Sequence, residues 1–300
     1  MAILNIFNSK KPQQVKSNQL GSFLKNFSIE VMPRTAAKIE NFNSILPKET
    51  RIYIAHLEGV SIDDMLSTAK RINHEGYEVV PHLPARIIEN KEILEKWLKL
   101  YSEEANVENA LLLAGGVVKP IGNFKDSMQL VETGLFDKYN FKKLYFAGHP
   151  EGNKDIDPDG SSKNIDRALK WKQDLNDRTS SEIALTTQFC FDPKPVIDWA
   201  NDLATNGIDL PINIGVAGPA KLQTLIKFSI ACGVGPSLKV LQKRAKDIKK
   251  LLLPFQPTDF LEALAIHKQQ NPQFGISSVH FFPLGGINAT ASWITDTTKN

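Results

Sequence analysis

The chain has 300 residues, 42% hydrophobic and 23% charged, with a formal net charge of +3. That balance excludes a disordered chain, and lysines interleaved with acidic residues argue against nucleic acid as a partner. No window of about 18 apolar residues could span a bilayer and the N-terminus has no apolar signal run, so a cytoplasmic protein off the membrane is expected.

Residues 1–20 form a polar tail whose most basic stretch is SKKPQQVK, and a solvated, flexible segment is expected there. Two cysteines, Cys190 and Cys232, are too few for a disulfide framework or a closed zinc site, and both read as small core residues. From residue 21 onward short β-rich runs alternate with helical periodicity. The runs are FSIEVM (27–32), RIYIAH (51–56), YEVVPHL (77–83), ALLLAG (110–115), KLYFAG (143–148), EIALTTQF (182–189), LPINIGV (210–216) and ISSVHFFPL (276–284). Between the second and third lies SIDDMLSTAKRINHEG (61–76), with Ile62, Met65, Leu66, Ala69 and Ile72 on one face and Gly76 at its end. KEILEKWLKLYSEEA (91–105) follows the third run in the same manner.

Eight strand–helix alternations predict a single (β/α)₈ barrel over 21–300. An open doubly wound sheet would carry a G-x-G-x-x-G turn after the first strand, and none is present. The longest interval separates the seventh and eighth runs, so extra helices are expected there.

In such a barrel, chemistry gathers at the strand C-termini. Period-two alternation puts Phe27, Ile29 and Val31 on the helix-facing side of the first strand and Ser28, Glu30 and Met32 on the inward side. A carboxylate facing inward loses hydration, which raises its pKa and suits it to general-acid work. A buried Glu30 paired with a cation such as Arg34 fits the pattern equally. Gln188 shares a face with the small residues Ala184, Thr186 and Cys190, which leaves space at the mouth for a ligand or for loop backbone to satisfy the amide. His56, Glu58, His82 and His149 also fall at strand ends; His82 and His149 could ligate a metal, but no HxH or HExxH spacing links them, so no metal is expected. Glycines near 115, 218 and 285 suit either a close approach to a flat ring or phosphate, or tight turns.

The order FSIEVMPRT, VVPHLPA, a glycine-rich fourth-strand end, HPEG, TTQFCFD and SVHFFPLGG resembles the methylenetetrahydrofolate reductase family over about residues 27–295. The resemblance implies a flavin barrel holding FAD. It would pass hydride from NAD(P)H to methylenetetrahydrofolate by ping-pong transfer, in one-carbon metabolism and methionine biosynthesis, and often as a homo-oligomer. It implies Glu30 as the general acid protonating the folate bridge nitrogen, and Gln188, Phe191, Asp192 and His280 as the substrate-binding set. It implies His56, His82, Ala114, Gly115, Gly116, Tyr145, His149 and Lys172 as the FAD-binding set.

Three departures accompany it. LLLAGGVVKP has Gly116 where the family carries an aspartate near flavin and pterin, Trp171 stands where an arginine is expected beside Lys172, and FFPLGGINATASW differs from the common ending. Loss of the aspartate opens the methyl-oxidising direction. Two other readings stay open: a folate- or flavin-binding subunit that needs a partner for electron delivery, and a flavin-free folate-dependent methyltransferase barrel.

Overall fold

The computed structural model describes residues 19–246 and 253–299, so nearly all of the polar tail and the end of the lysine-rich segment 236–252 lie outside the described residues. Eight parallel strands close into a barrel in chain order: β1 (Ser28–Val31), β2 (Arg51–Ile54), β3 (Glu78–Pro84), β4 (Asn109–Leu113), β5 (Lys143–Gly148), β6 (Glu182–Phe189), β7 (Ile212–Ala217) and β8 (Ile276–Phe282). Each expected run carries one strand. Closure is made by β8 on β1, with Ser28 opposite His280 and Ile29 opposite Phe281.

The connections are α1 (Pro33–Ala36), α2 (Ile62–His74), α3 (Lys91–Ala105), α4 (Ser127–Val131), α5 (Leu135–Lys138), α6 (Lys163–Asn176) and α7 (Pro193–Thr205). After β7 come α8 (Leu222–Ala231), α9 (Gly235–Ala245) and α10 (Thr258–Gln270), the extra helices expected there, and α11 (Ile287–Lys299) ends the described chain. The second connection shows why these segments become helices. Ser61 caps α2 by accepting from the Asp64 amide at 3.1 Å, Asp63 and Asp64 oppose the N-terminal dipole, and Met65, Leu66, Ala69 and Ile72 are buried. Asn90 caps α3 through the Ile93 amide in the same way.

The main core lies between strands and helices, where Ile29, Val31, Ile52, Ile54, Leu112 and Phe146 pack outward. Inside the barrel a smaller apolar layer is formed by Tyr53, Val80, Leu111, Tyr145 and Ala184. Below it the floor is polar: Arg51 donates to the Tyr145 hydroxyl at 3.4 Å and to Ser278 Oγ at 3.3 Å, and Lys143 pairs with Glu182 at 2.9 Å. A third apolar cluster, around Phe189, Phe191, Leu222, Leu225, Leu241 and Phe255, mounts the α8–α9 excursion on the ends of β6 and β7.

Strict alternation fails at the end of β6. The β6–β7 register shifts between Thr186 and Phe189, and Cys190 packs in the outer core instead of sharing the Gln188 face. The irregularity brings strand backbones together: the Gly215 amide donates to Thr187 Oγ1 at 2.8 Å, and a Cβ on Gly215 would lie 2.3 Å from the Thr187 carbonyl oxygen.

Candidate functional site

Because Ile29 and Val31 face the helices, β1 turns Ser28 and Glu30 into the barrel, as alternation predicts. Glu30 Oε2 lies 3.2 Å from His82 Nε2 of β3 and 3.7 Å from His280 Nε2 of β8. Both nitrogens are buried, and neither makes an aligned hydrogen bond. His280 is fully enclosed, with its Nδ1 2.9 Å from Ser28 Oγ.

This environment corrects the expected rise in the Glu30 pKa. Burial pushes it up, but the charge of His82 and the contacts of both imidazoles outweigh burial and bring it down to about 2. At neutral pH Glu30 is an ionised acceptor. Arg34, the alternative partner, is exposed. Burial pushes the His280 pKa down, with Glu30 opposing that shift.

Gln188, half-buried at the end of β6, donates from Nε2 to the Cys232 carbonyl at 3.4 Å. The Cys232 thiol in turn has its pKa raised by burial and by the charge of Glu30. Cys232 therefore borders both Glu30 and Gln188 and marks a single mouth. It is exposed, against its expected place in the core, whereas Cys190 is buried. Sequence reasoning also missed Ser237. Its amide donates to Glu151 of HPEG at 3.1 Å, its hydroxyl donates to the same carboxylate, and Ser237 Oγ accepts from the Phe191 amide at 2.8 Å. A serine just inside a helix start, opposite a strand-end glutamate, was the available signal.

Phe191 itself is buried, edge-on to Phe255 with centroids 5.2 Å apart. Asp192 caps α7 by accepting from the Lys194 amide at 3.0 Å. Both thus have structural partners beside the mouth.

The residues expected to hold a flavin divide into two groups. Lys172 is 6% exposed, and its ammonium donates to the Ala147 carbonyl at 2.9 Å, with no carboxylate at ion-pair distance among the described residues. Burial lowers its pKa to about 8. His149 nearby is held down to about 4 by burial and by Lys172. A buried cation without a counter-charge suits an anionic group. Gly115 takes φ +96°, and a Cβ on Gly116 would meet nothing within 4 Å, so the end of β4 is an open backbone ledge. The Ala114 carbonyl beneath it accepts from the Arg86 amide at 2.9 Å. The Arg86 guanidinium donates to the Lys125 and Val117 carbonyls and pairs with Asp155 at 2.8 Å, tying the loops after β3, β4 and β5 together.

The other group is engaged with partners inside the protein. Tyr145 is fully buried inside the barrel with its hydroxyl toward Arg51. His56 Nε2 lies 3.0 Å from the Val60 carbonyl oxygen, its ring packs 5.0 Å from Trp97, and burial lowers its pKa. His82 turns to Glu30. Gly218 and Gly285 serve backbone packing: their Cβ atoms would lie 2.2 Å from Thr290 Oγ1 and 2.0 Å from the Pro219 carbonyl oxygen. Glu58, another of the polar residues expected at strand ends, is exposed in the turn after β2. Among the described residues no cluster of three or more His, Cys, Asp or Glu side chains could hold a metal ion, and no helix is long and apolar enough to cross a membrane.

No protein-family model matches the chain. Among solved structures, it is similar to an uncharacterized Clostridium thermocellum protein that binds two copies of 5-methyl-5,6,7,8-tetrahydrofolic acid, at 12% identity and TM-score 0.57, covering 95% of this chain and 99% of that one. Looser matches are Yersinia pestis DHPS with a pterine-sulfa conjugate, at 10% identity and TM-score 0.47 over 93% and 94% of the two chains, and a Clostridium difficile type I 3-dehydroquinate dehydratase, at 9% identity and TM-score 0.44 over 91% and 90%. At these identities the first match establishes a shared barrel fold.

Proposed function

We propose that this barrel binds a reduced folate at the mouth and interconverts its methylene and methyl forms by hydride exchange with FAD, with NAD(P)H or its oxidised form as the second substrate. The observation that carries the reading is the convergence of Glu30, His82, His280 and Gln188 at one mouth bordered by Cys232. Gln188 has one long protein hydrogen bond, so its amide retains donor and acceptor capacity for the edge of a pterin. Glu30 supplies the carboxylate through which a proton reaches or leaves the folate bridge nitrogen. The folate-binding Clostridium thermocellum barrel supports the substrate class.

For the flavin, Lys172 and His149 offer a cationic, desolvated end, and Gly115–Gly116 offer a ledge without side chains. Bound there, FAD would supply hydride exchange between the two substrates. With Gly116 in place of an acid, no carboxylate on that ledge opposes flavin reduction, which favours the methyl-oxidising direction.

A second reading is a flavin-free folate barrel, favoured by Tyr145 and His56 being committed to internal contacts. The absorbance spectrum of the purified protein, with and without NADH, separates the two. A flavin band bleached by NADH is expected. Colourless protein that takes up no added FAD leaves only the flavin-free reading.

A further inference from the structure

We infer that His82 is the proton relay partner of Glu30, reloading the carboxylate when folate is reduced and draining it when folate is oxidised. This rests on the folate reading above and adds to it the route by which protons reach the mouth. Three observations select His82. Its Nε2 is the nearer of the two imidazole nitrogens to the Glu30 carboxylate, at 3.2 Å against 3.7 Å for His280. That nitrogen is buried without an aligned hydrogen bond, and the Glu30 carboxylate is the group at ion-pair distance from it. The His82 side chain is also 10% exposed, whereas that of His280 is 0% exposed and tied at its other nitrogen to Ser28. Of the two, only His82 can exchange a proton with the mouth.

An ionised Glu30 has no proton of its own to give, so each donation to substrate requires a refill. The N–H bond of the His82 imidazolium breaks as its proton passes to Glu30 Oε2. The carboxylic O–H bond then breaks as a proton goes to the folate bridge nitrogen. His82 is left neutral and Glu30 ionised, and His82 regains its proton from water in the mouth. Run backwards, the same path removes the proton during methyl oxidation.

Titratable groups from several elements face the pair. His56 and His280 lie within electrostatic reach of His82, and Glu30 sits at ion-pair distance from it. Tyr53 presents its ring edge-on to His82 at 6.3 Å, Arg51 acts on His280 from the floor, and the Cys232 thiol faces Glu30 from the excursion.

The test compares wild type and His82→Gln in the FAD-loaded protein, following the half-reaction with methyltetrahydrofolate across pH with and without added imidazole. The expected result is a rate about 100-fold lower, the scale of a lost proton-transfer partner, restored in part by imidazole. An undiminished rate, or a loss that imidazole does not restore at any pH, overturns the inference. A second measurement needs neither folate nor the variant's full activity: ¹⁵N NMR of the His82 ring in wild type and Glu30→Gln. A shifted Nε2 resonance is expected, and an unmoved one overturns the pairing. Wild type that neither binds nor turns over folate sinks the functional reading, while the NMR comparison still decides whether His82 and Glu30 share a proton.

Discussion

Replacing Lys172 with Met separates a residue built for the fold from one built for a ligand. In the folded chain the ammonium titrates at about 8 instead of 10.5, because burial disfavours its charge. For a base, a folded value below the unfolded one is a cost carried at neutral pH and relieved as pH rises from 8 to 10.5. The displacement corresponds to about 3 kcal/mol. Orphaning the Ala147 carbonyl that Lys172 now serves costs about 1 kcal/mol, so the net gain is about 2 kcal/mol. Thermal unfolding of flavin-free Lys172→Met at pH 7 should therefore show a Tm raised by about 3 °C, a gain that shrinks as pH rises above about 8 and reverses above about pH 10.5, where only the cost of the orphaned carbonyl, about 1 kcal/mol, is left. His149, freed of its cationic neighbour, should titrate higher. The same variant should bind FAD about 10- to 100-fold more weakly, the scale of a lost charge-assisted hydrogen bond. A variant less stable than wild type at pH 7 with undiminished FAD affinity would refute the reasoning and make the lysine a structural tie to β5.

Three further outcomes follow from the geometry. The Glu30 carboxyl is depressed from 4.5 to about 2, so it stabilises the fold above the unfolded value and loses that contribution as pH falls through about 2. Urea titrations should find Glu30→Gln less stable by about 3 kcal/mol at pH 6, with the gap closing near pH 2, and equal stability throughout would contradict the pairing with His82 and His280. Gly116→Asp should leave stability within about 0.5 kcal/mol, since its Cβ meets open space, while making bound flavin harder to reduce. Spectroelectrochemical titration reads that shift, and a potential unchanged from wild type would remove the ledge from the flavin site. Gly215→Ala should lose about 3 kcal/mol or fail to fold, because the methyl would lie 2.3 Å from the Thr187 carbonyl oxygen. A variant with wild-type unfolding behaviour would mean that β6 and β7 are less tightly apposed than described.

The barrel was legible because its signal is local and repeated. β3, β5 and β6 coincide closely with apolar runs, and α2 and α3 announce themselves through Ser61 and Asn90 caps before amphipathic stripes. Glu30 could be placed inward because β1 keeps strict alternation. Its charge state could not be inferred, because the two imidazoles that set it arrive from β3 and β8, 52 and 250 residues away. Cys190 was misplaced by the irregularity at the end of β6, which period-two counting cannot see. Cys232 was read as a core residue and Ser237 was overlooked because their importance comes from where the excursion packs, and that is decided by Phe189, Phe191 and Phe255. Tyr145 illustrates the limit of motif transfer: the resemblance implies a cofactor contact for it, while its ring lies in the apolar layer inside the barrel with its hydroxyl toward Arg51.

The most direct test of the central claim is to load the protein with FAD and mix it anaerobically with 5-methyltetrahydrofolate in the absence of nicotinamide, in wild type and in Gln188→Ala. The account predicts bleaching of the flavin band by wild type and a much higher folate requirement in Gln188→Ala. A protein that takes up no FAD, or whose bound flavin neither methyltetrahydrofolate nor NADH reduces, would contradict it.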